Sequence, residues 1–257
     1  MVSATSFRQR LLAFEPLVGS FLKTPTSHAT EILGAVGFDF VVIDQEHGPF
    51  DRTSTDVALL AARAAGIPAL VRVPGPDALL SVLDCGATGV LVPHVASVAY
   101  ARQVAAACRY RNGKRGFATS TRAGGYTAVP MWKHIADSDA AVTVVAQIED
   151  PEALDQLDGI AAVDGIDSLF IGRGDLTAAF DDQSAEPPAV RNAVERIAAA
   201  SRRAGKAISV YVGNAGEAAW LKGLGASAFV LSSDQGFLRQ AAIKGLGEVR
   251  DKVKGAQ

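Results

Sequence analysis

The chain has 257 residues, 49% of them hydrophobic and 20% charged, with a formal net charge of −2. That length suits a barrel-sized α/β unit with a sizeable core. A near-neutral balance without a basic stretch argues against nucleic acid as a partner. No apolar run approaches the ~20 residues of a membrane span, and the first residues lack a secretory h-region. The two cysteines, Cys85 and Cys108, stand in apolar helical stretches without metal-ligand spacing and read as buried thiols of a cytoplasmic protein.

In chain order, eight short β-branched runs alternate with Ala- and Leu-rich segments. The runs are Leu17 to Leu22, Phe38 to Ile43, Ala69 to Val73, Gly89 to Val92, Val142 to Ile148, Ser168 to Ile171, Ala207 to Val212 and Ala228 to Leu231. Their near-continuous apolar character is that of parallel strands buried on both faces. Helical spacing appears over Ala29 to Val36, Thr55 to Ala65, Ala78 to Leu83, Val98 to Cys108, Pro188 to Arg203 and Ala215 to Leu224. Several of these end in a glycine before the next strand, the residue that closes a helix in the left-handed conformation.

Eight strands alternating with helices within ~250 residues predict an α/β fold, a (β/α)8 TIM barrel. An open doubly wound sheet is the rival, weakened by the lack of a GxGxxG turn after the first strand. The whole of 1–257 is expected to form one barrel domain, with a long loop at 109–130 and a C-terminal helix at 235–252. The Gly- and Arg-rich loop is of a length usually tied to function or to an interface.

In a barrel, catalytic groups stand where the strands finish. The second strand is followed by Asp44, Gln45, Glu46 and His47, and the third ends in Arg72. His94 follows the fourth; Gln147, Glu149 and Asp150 follow the fifth. Arg173, Gly174 and Asp175 follow the sixth, and Asp234 the eighth. Glu149 and Asp175 follow successive strands, so their carboxylates can meet and would repel unless a cation lay between them. Oxygen donors without a Cys/His cluster favour Mg2+, with Mn2+ or Co2+ able to enter. The bland alternative is a pair of exposed loop acids, with Asp175 acting as a helix cap. His47 is the natural proton carrier near neutral pH, and Asp44, three residues earlier, can orient its ring. A buried Arg72 needs an anion, either Asp44 or Glu46 within the protein or a substrate oxygen. His94 reads as packing support. Lys23 and Lys206 lie outside the strand cores, which disfavours a Schiff-base mechanism.

The motif from Gly37 to Gly48, with Val71-Arg72-Val73-Pro74, Asp84 to Pro93, Gln147-Ile148-Glu149 and Phe170 to Leu176, resembles the class II 4-hydroxy-2-oxoheptanedioate aldolase / 2-dehydro-3-deoxyglucarate aldolase family. The resemblance spans about Gly19 to Asp234. It implies the phosphoenolpyruvate/pyruvate type of TIM barrel and a metal-dependent aldolase that splits a 4-hydroxy-2-oxo acid into pyruvate and an aldehyde. It further implies that Glu149 and Asp175 hold the divalent metal and that Arg72 stabilises the enolate. Gln147 and the amides around Gly174 and Asp175 would bind the substrate carboxylate, and His47 with Asp44 would move protons. A homo-oligomer, trimer or hexamer, is implied as well, with the segment from Arg115 to Tyr126 reaching toward a neighbour. Arg173 departs from the Gly-Pro-x-Asp-Leu pattern of many relatives and reads as a reader of acidic substrate tails or as the partner of a nearby acid. An acyl-CoA lyase or an oxaloacetate-type decarboxylase on the same scaffold, and a non-catalytic ligand-binding barrel, are the competing readings.

Overall fold

The computed structural model describes residues 6–181, 183–184 and 187–254; the ends of the expected 1–257 unit lie outside the described residues. Eight parallel strands close into a barrel in sequence order. They are β1 (Leu17–Leu22), β2 (Phe40–Asp44), β3 (Ala69–Arg72), β4 (Gly89–Val92), β5 (Thr143–Ile148), β6 (Ser168–Ile171), β7 (Ala207–Val212) and β8 (Ala228–Ser233). All eight expected strands are present, with ends shifted by two residues at most. Helices separate them, as the (β/α)8 reading requires.

The strands are buried on both faces, and a period of two decides which side chain goes where. Val41 and Ile43 of β2, Val71 of β3, Val90 and Val92 of β4 and Val144, Ala146 and Ile148 of β5 belong to the core under the helices. Their alternates form a separate inner cluster, with Phe40 and Val42, Leu70, Leu91, Val145, Phe170 and Val230. A short helix, Phe7–Leu12, adds Phe7 and Leu11 to that cluster, and the Phe7 and Phe40 rings lie 5.1 Å apart. A capping box between Ser6 and Gln9 starts this helix and satisfies its first amides.

The helix-ending glycines behave as the sequence predicts. Gly37 and Gly66 cap the helices Ser27–Val36 and Arg52–Ala65 with φ of 100° and 69°. A side chain there would meet the steric cost of the left-handed region. Cys108 is buried and Cys85 half-buried, both free thiols. Burial pushes the Cys108 thiol up to about 12. No helix among the described residues is long and apolar enough to cross a membrane.

Residues 109–130 form turns without a regular helix or strand. The segment is tied to its own barrel rather than hanging free. The Arg115 guanidinium lies over the Tyr110 ring at 4.5 Å and 3.3 Å from Asp84. Arg122 donates to the Cys85 carbonyl at 2.9 Å and pairs with Asp56. The last helix, Asp234–Lys254, buries none of its residues and leaves Leu238, Ile243, Leu246, Val249 and Val253 exposed.

Phe40 joins the barrel interior to the Phe7–Leu12 plug, and its ring fills the space a side chain on Gly19 would need. Phe40→Ala should lower unfolding stability by ~3–5 kcal/mol, read as the shift of the urea midpoint at constant slope; a shift under about 1 kcal/mol would show that the interior packs without it.

Candidate active site

The inner faces of β2, β3 and β5 run through apolar residues and turn polar at their C-terminal ends, while deeper in the barrel Ser168 of β6 and Ser209 of β7 satisfy each other at 2.7 Å. Along β2 the inward series Phe40, Val42 continues to Asp44; along β3, Leu70 continues to Arg72; along β5, Val145 continues to Gln147 and Glu149. The polar residues are therefore the top layer of the barrel interior, placed there by strand alternation alone.

Asp44 is fully buried and carries most of one side of this layer. Arg72 donates to both its oxygens, Nε to Oδ1 at 2.9 Å and Nη2 to Oδ2 at 2.7 Å. The amides of Glu46 and His47 donate to Oδ1, each at 3.2 Å, and Lys23 Nζ stands 3.2 Å from Oδ2. Burial pushes the Asp44 carboxyl up, but Arg72, the His47 amide and Lys23 outweigh it and hold the group below the usual carboxylate range. Arg72 also reaches Glu46 through Nη1 at 3.2 Å and lies 4.7 Å above the Phe21 ring.

This geometry corrects one expectation. Asp44 holds the backbone of His47 and not its ring; the ring is 58% exposed and its Nε2 is 3.8 Å from Glu46. The reason is competition: Asp44 lies on the inward face of β2, where Arg72 and Lys23 draw its carboxylate inside while the chain turns His47 out to the rim. Lys23 lies just beyond β1, outside the strand core as expected, and its ammonium meets Asp44. The residue after β1 continues the inward series Leu17, Gly19, Phe21, which period-two counting from Phe21 would have shown.

Across the mouth, Glu149 is 2% exposed. The His94 amide donates to Oε1 at 2.8 Å and Gln147 Nε2 donates to Oε2. Burial, opposed by the His94 amide and Gln147 but reinforced by Asp175, pushes the Glu149 carboxyl up to about 7. Asp175, the other acid of the expected pair, stands near enough to Glu149 to add to this rise. Asp175 is the third residue of the helix Arg173–Phe180, whose N-cap position is Gly172. Gly172 allows the approach: a Cβ there would lie 2.5 Å from that of Glu149.

The structure adds two groups that the strand ends named but did not weight. Single ligand atoms of Glu46, His94 and Glu149 lie within 4.8 Å of one another. His94 has φ of 54°, with Nδ1 3.0 Å from Asp150 and 3.5 Å from Glu149, and Nε2 3.8 Å from Glu46. Burial alone would push its imidazole down, but the bond to Asp150 and the charges of Glu149, Asp150 and Glu46 raise it. The available signal was adjacency: β4 pairs with β5, so residue 94 emerges beside residue 149.

A cavity of ≈1030 Å³ opens over this layer, and Arg72, Gln147, Gly174 and Asp175 all line it. Arg173 also lines it, but its guanidinium pairs with Glu217 at 2.6 Å and donates to the Tyr211 carbonyl at 3.1 Å. Asp234 accepts from the amides of Lys23 and Thr24 at 2.8 and 3.1 Å and so belongs to the frame. His134 stacks against Tyr110 and Phe117, away from the site.

The chain is similar to known proteins in sequence and in fold. The HpcH/HpaI aldolase/citrate lyase family matches residues 17–241. The chain belongs to that family. It is similar to the 5-keto-4-deoxy-D-glucarate aldolase of Enterobacter sp. (strain 638), 34% identical over 93% of this chain and 94% of that one. A solved HpcH/HpaI aldolase/citrate lyase family protein from Burkholderia cenocepacia superposes with a TM-score of 0.89 at 31% identity, covering 95% of this chain and 98% of that one. The solved citrate synthase SbnG gives a TM-score of 0.88 at 27% identity, covering 97% and 99%. Family membership makes the chain an aldolase-type lyase.

The raised Glu149 carboxyl has a consequence for the metal-free protein. Folding raises its pKa from the ordinary 4.5 to about 7. The native state then binds more protons between those values, so stability falls as pH rises through that window. Chelator-treated protein should melt at a higher temperature near pH 5 than near pH 8, and Glu149→Gln should flatten the difference. An equal pH dependence in wild type and variant would assign the effect to other groups.

Proposed function

We propose that the chain is a divalent-metal-dependent aldolase that reversibly cleaves a 4-hydroxy-2-oxo acid into pyruvate, or a close 2-oxo acid, and an aldehyde. The observation that carries this reading is the approach of ligand atoms of Glu46, His94 and Glu149 to within 4.8 Å of one another, at strand ends whose cavity also receives Arg72, Gln147 and Asp175. The donor set fits a hard cation: the carboxylates are crowded, and Gln147 Oε1 is a buried acceptor without a hydrogen-bond donor. Glu149 and Asp175 would hold the ion, with Glu46 and His94 close to it. A divalent cation there would neutralise the paired acids and draw charge from the 2-oxo carbonyl as a Lewis acid; Mg2+ is the favoured ion, with Mn2+ or Co2+ as substitutes.

The chain's own groups do the rest. The amides at Gly174 and Asp175 open the first turn of the helix Arg173–Phe180 and have no partner within it, so they suit a substrate carboxylate. Gln147 would secure the other side of the same group. Arg72, held rigid by Asp44, presents its guanidinium to the 2-oxo oxygen, where charge builds as the C3–C4 bond breaks. Asp44 therefore acts as a positioning residue for Arg72. His47, with its ring at the rim, would accept the 4-hydroxyl proton as the aldehyde leaves and return a proton in the reverse direction. Lys23 is ion-paired with Asp44, whereas imine formation needs a free amine; reduction with borohydride in the presence of pyruvate should leave the protein mass unchanged.

A homo-oligomer, trimer or hexamer, is part of this proposal. The exposed apolar side chains of Asp234–Lys254 support it, because a contiguous apolar face on a surface helix is usually covered.

Pyruvate release from a 4-hydroxy-2-oxo acid tests the reading. Activity should vanish on chelation and return with Mg2+, Mn2+ or Co2+. Glu149→Gln and Asp175→Asn should melt cooperatively and fail to regain it. Arg72→Ala should lose ~10²–10³-fold in kcat. Turnover that resists chelation, or that survives in either acid variant, would contradict the metal assignment.

A further inference from the structure

The first turn of the helix Arg173–Phe180 carries Asp175 and the amides at Gly174 and Asp175, so it has to be held in one place. Its own residues give little help. Gly172 stands at the N-cap position without a side chain to cap the helix. It cannot be exchanged for a capping residue, because a Cβ there would lie 2.5 Å from that of Glu149. A Cβ on Gly174 would meet nothing within 4 Å, so no packing fixes the backbone from that side. Two glycines in three residues make this turn costly to order.

Arg173 stands between them, at the first helical position. Its Nη2 donates to the Tyr211 carbonyl at 3.1 Å and pairs with Glu217 Oε2 at 2.6 Å. Glu217 is itself fixed. The Gly213 amide donates to its Oε2 at 3.1 Å, and the Asn214 side chain donates to its Oε1 at 3.4 Å. In return, the Glu217 amide donates to Asn214 Oδ1 at 3.0 Å, the cap of the helix Ala215–Gly223. Burial pushes the Glu217 carboxyl up, but the Gly213 amide and Arg173 outweigh it and hold the group below the usual carboxylate range. The pair is therefore charged at neutral pH. Tyr211 belongs to β7, which pairs with β6. The bridge thus ties the turn after β6 to the end of its neighbouring strand and to the helix that follows.

Building on the aldolase reading, we propose that Arg173 is a positioning residue. Its bridge to Glu217 and the Tyr211 carbonyl supplies the rigidity that the flanking glycines remove. It fixes the turn that presents Asp175 to a cation and the amides of Gly174 and Asp175 to a carboxylate.

Proline at the first helical position would supply rigidity by another route. It sets φ near the helical value and lacks an amide hydrogen that the helix does not use there. Gly172 before it has φ of −85° and ψ of 72°, outside the helical region that a following proline disfavours. A residue that acts only by holding the turn is replaceable in this way, whereas a guanidinium that touches the substrate is not.

The test uses full-length wild type, Arg173→Met, Glu217→Gln, Arg173→Pro and the double variant Arg173→Met/Glu217→Gln. Two constants are measured: the Kd for Mn2+ by electron paramagnetic resonance after chelator treatment, and the KM for pyruvate in methyl deuterium exchange. Arg173→Met and Glu217→Gln should melt cooperatively and raise both constants by about fivefold. Exchange at saturating Mn2+ and pyruvate should change little. The double variant should be no weaker than Arg173→Met alone, because both substitutions break one bridge. Arg173→Pro should return both constants close to wild type. Wild-type constants in Arg173→Met, or additive losses in the double variant, would overturn the assignment. A folded Arg173→Pro as impaired as Arg173→Met would overturn it too, by showing that the guanidinium is needed for itself. Wild type that neither binds Mn2+ nor exchanges the methyl protons would remove the aldolase reading, and this assignment with it.

Discussion

Every second residue of eight parallel strands must point into one closed interior, and that interior has two different ends. At its lower end the Phe7–Leu12 helix closes it with Phe7 and Leu11. At the upper end the same alternation brings Lys23, Asp44, Arg72, Gln147 and Glu149 into one layer. The apolar layers beneath offer these groups no water and no polar partner. Each must be satisfied within its own layer or by what enters the cavity.

The two sides of the layer meet that requirement differently. Around Asp44 the charges are matched, with Arg72 and Lys23 against Asp44 and Glu46. Removing one member of such a buried pair typically costs ~3–5 kcal/mol, which makes Arg72 a rigid group. Around Glu149 the charges are not matched. Asp175 is a further acid near it, and burial pushes the Glu149 carboxyl up to about 7. Two carboxylates at ~4 Å repel by ~4 kcal/mol at an effective dielectric of ~20. In the proposed reading, a divalent cation would convert that repulsion into binding free energy. A settled arginine beside an unsettled acid pair is the combination that enolate chemistry needs: a fixed donor for the growing oxygen charge and a cation position next to it.

Much of this was readable from the residues. The strand runs were β-branched and buried on both faces, so their number and order followed from periodicity, and Gly37 and Gly66 marked the helix ends. The acids after β5 and β6 could be expected to approach one another because those strands are neighbours. The orientation of side chains within the top layer was less accessible. Sequence proximity suggested that Asp44 served the His47 ring, but strand alternation sends residue 44 inward, and the turn sends residue 47 to the rim. His94 and Lys23 were undervalued for the same reason. Their importance comes from pairing across strands, residue 94 beside 149 and residue 23 above Phe21, and three-dimensional closure is what sets those distances.

The central claim is that this mouth stabilises the enolate of a 2-oxo acid with the help of a divalent cation. Exchange of the pyruvate methyl protons with deuterium, followed by NMR, tests it without any aldehyde. Exchange that disappears after chelation and returns with Mg2+ or Mn2+ is the predicted result. Failure to exchange with any divalent metal, in protein shown by its melting curve to be folded, would contradict the account.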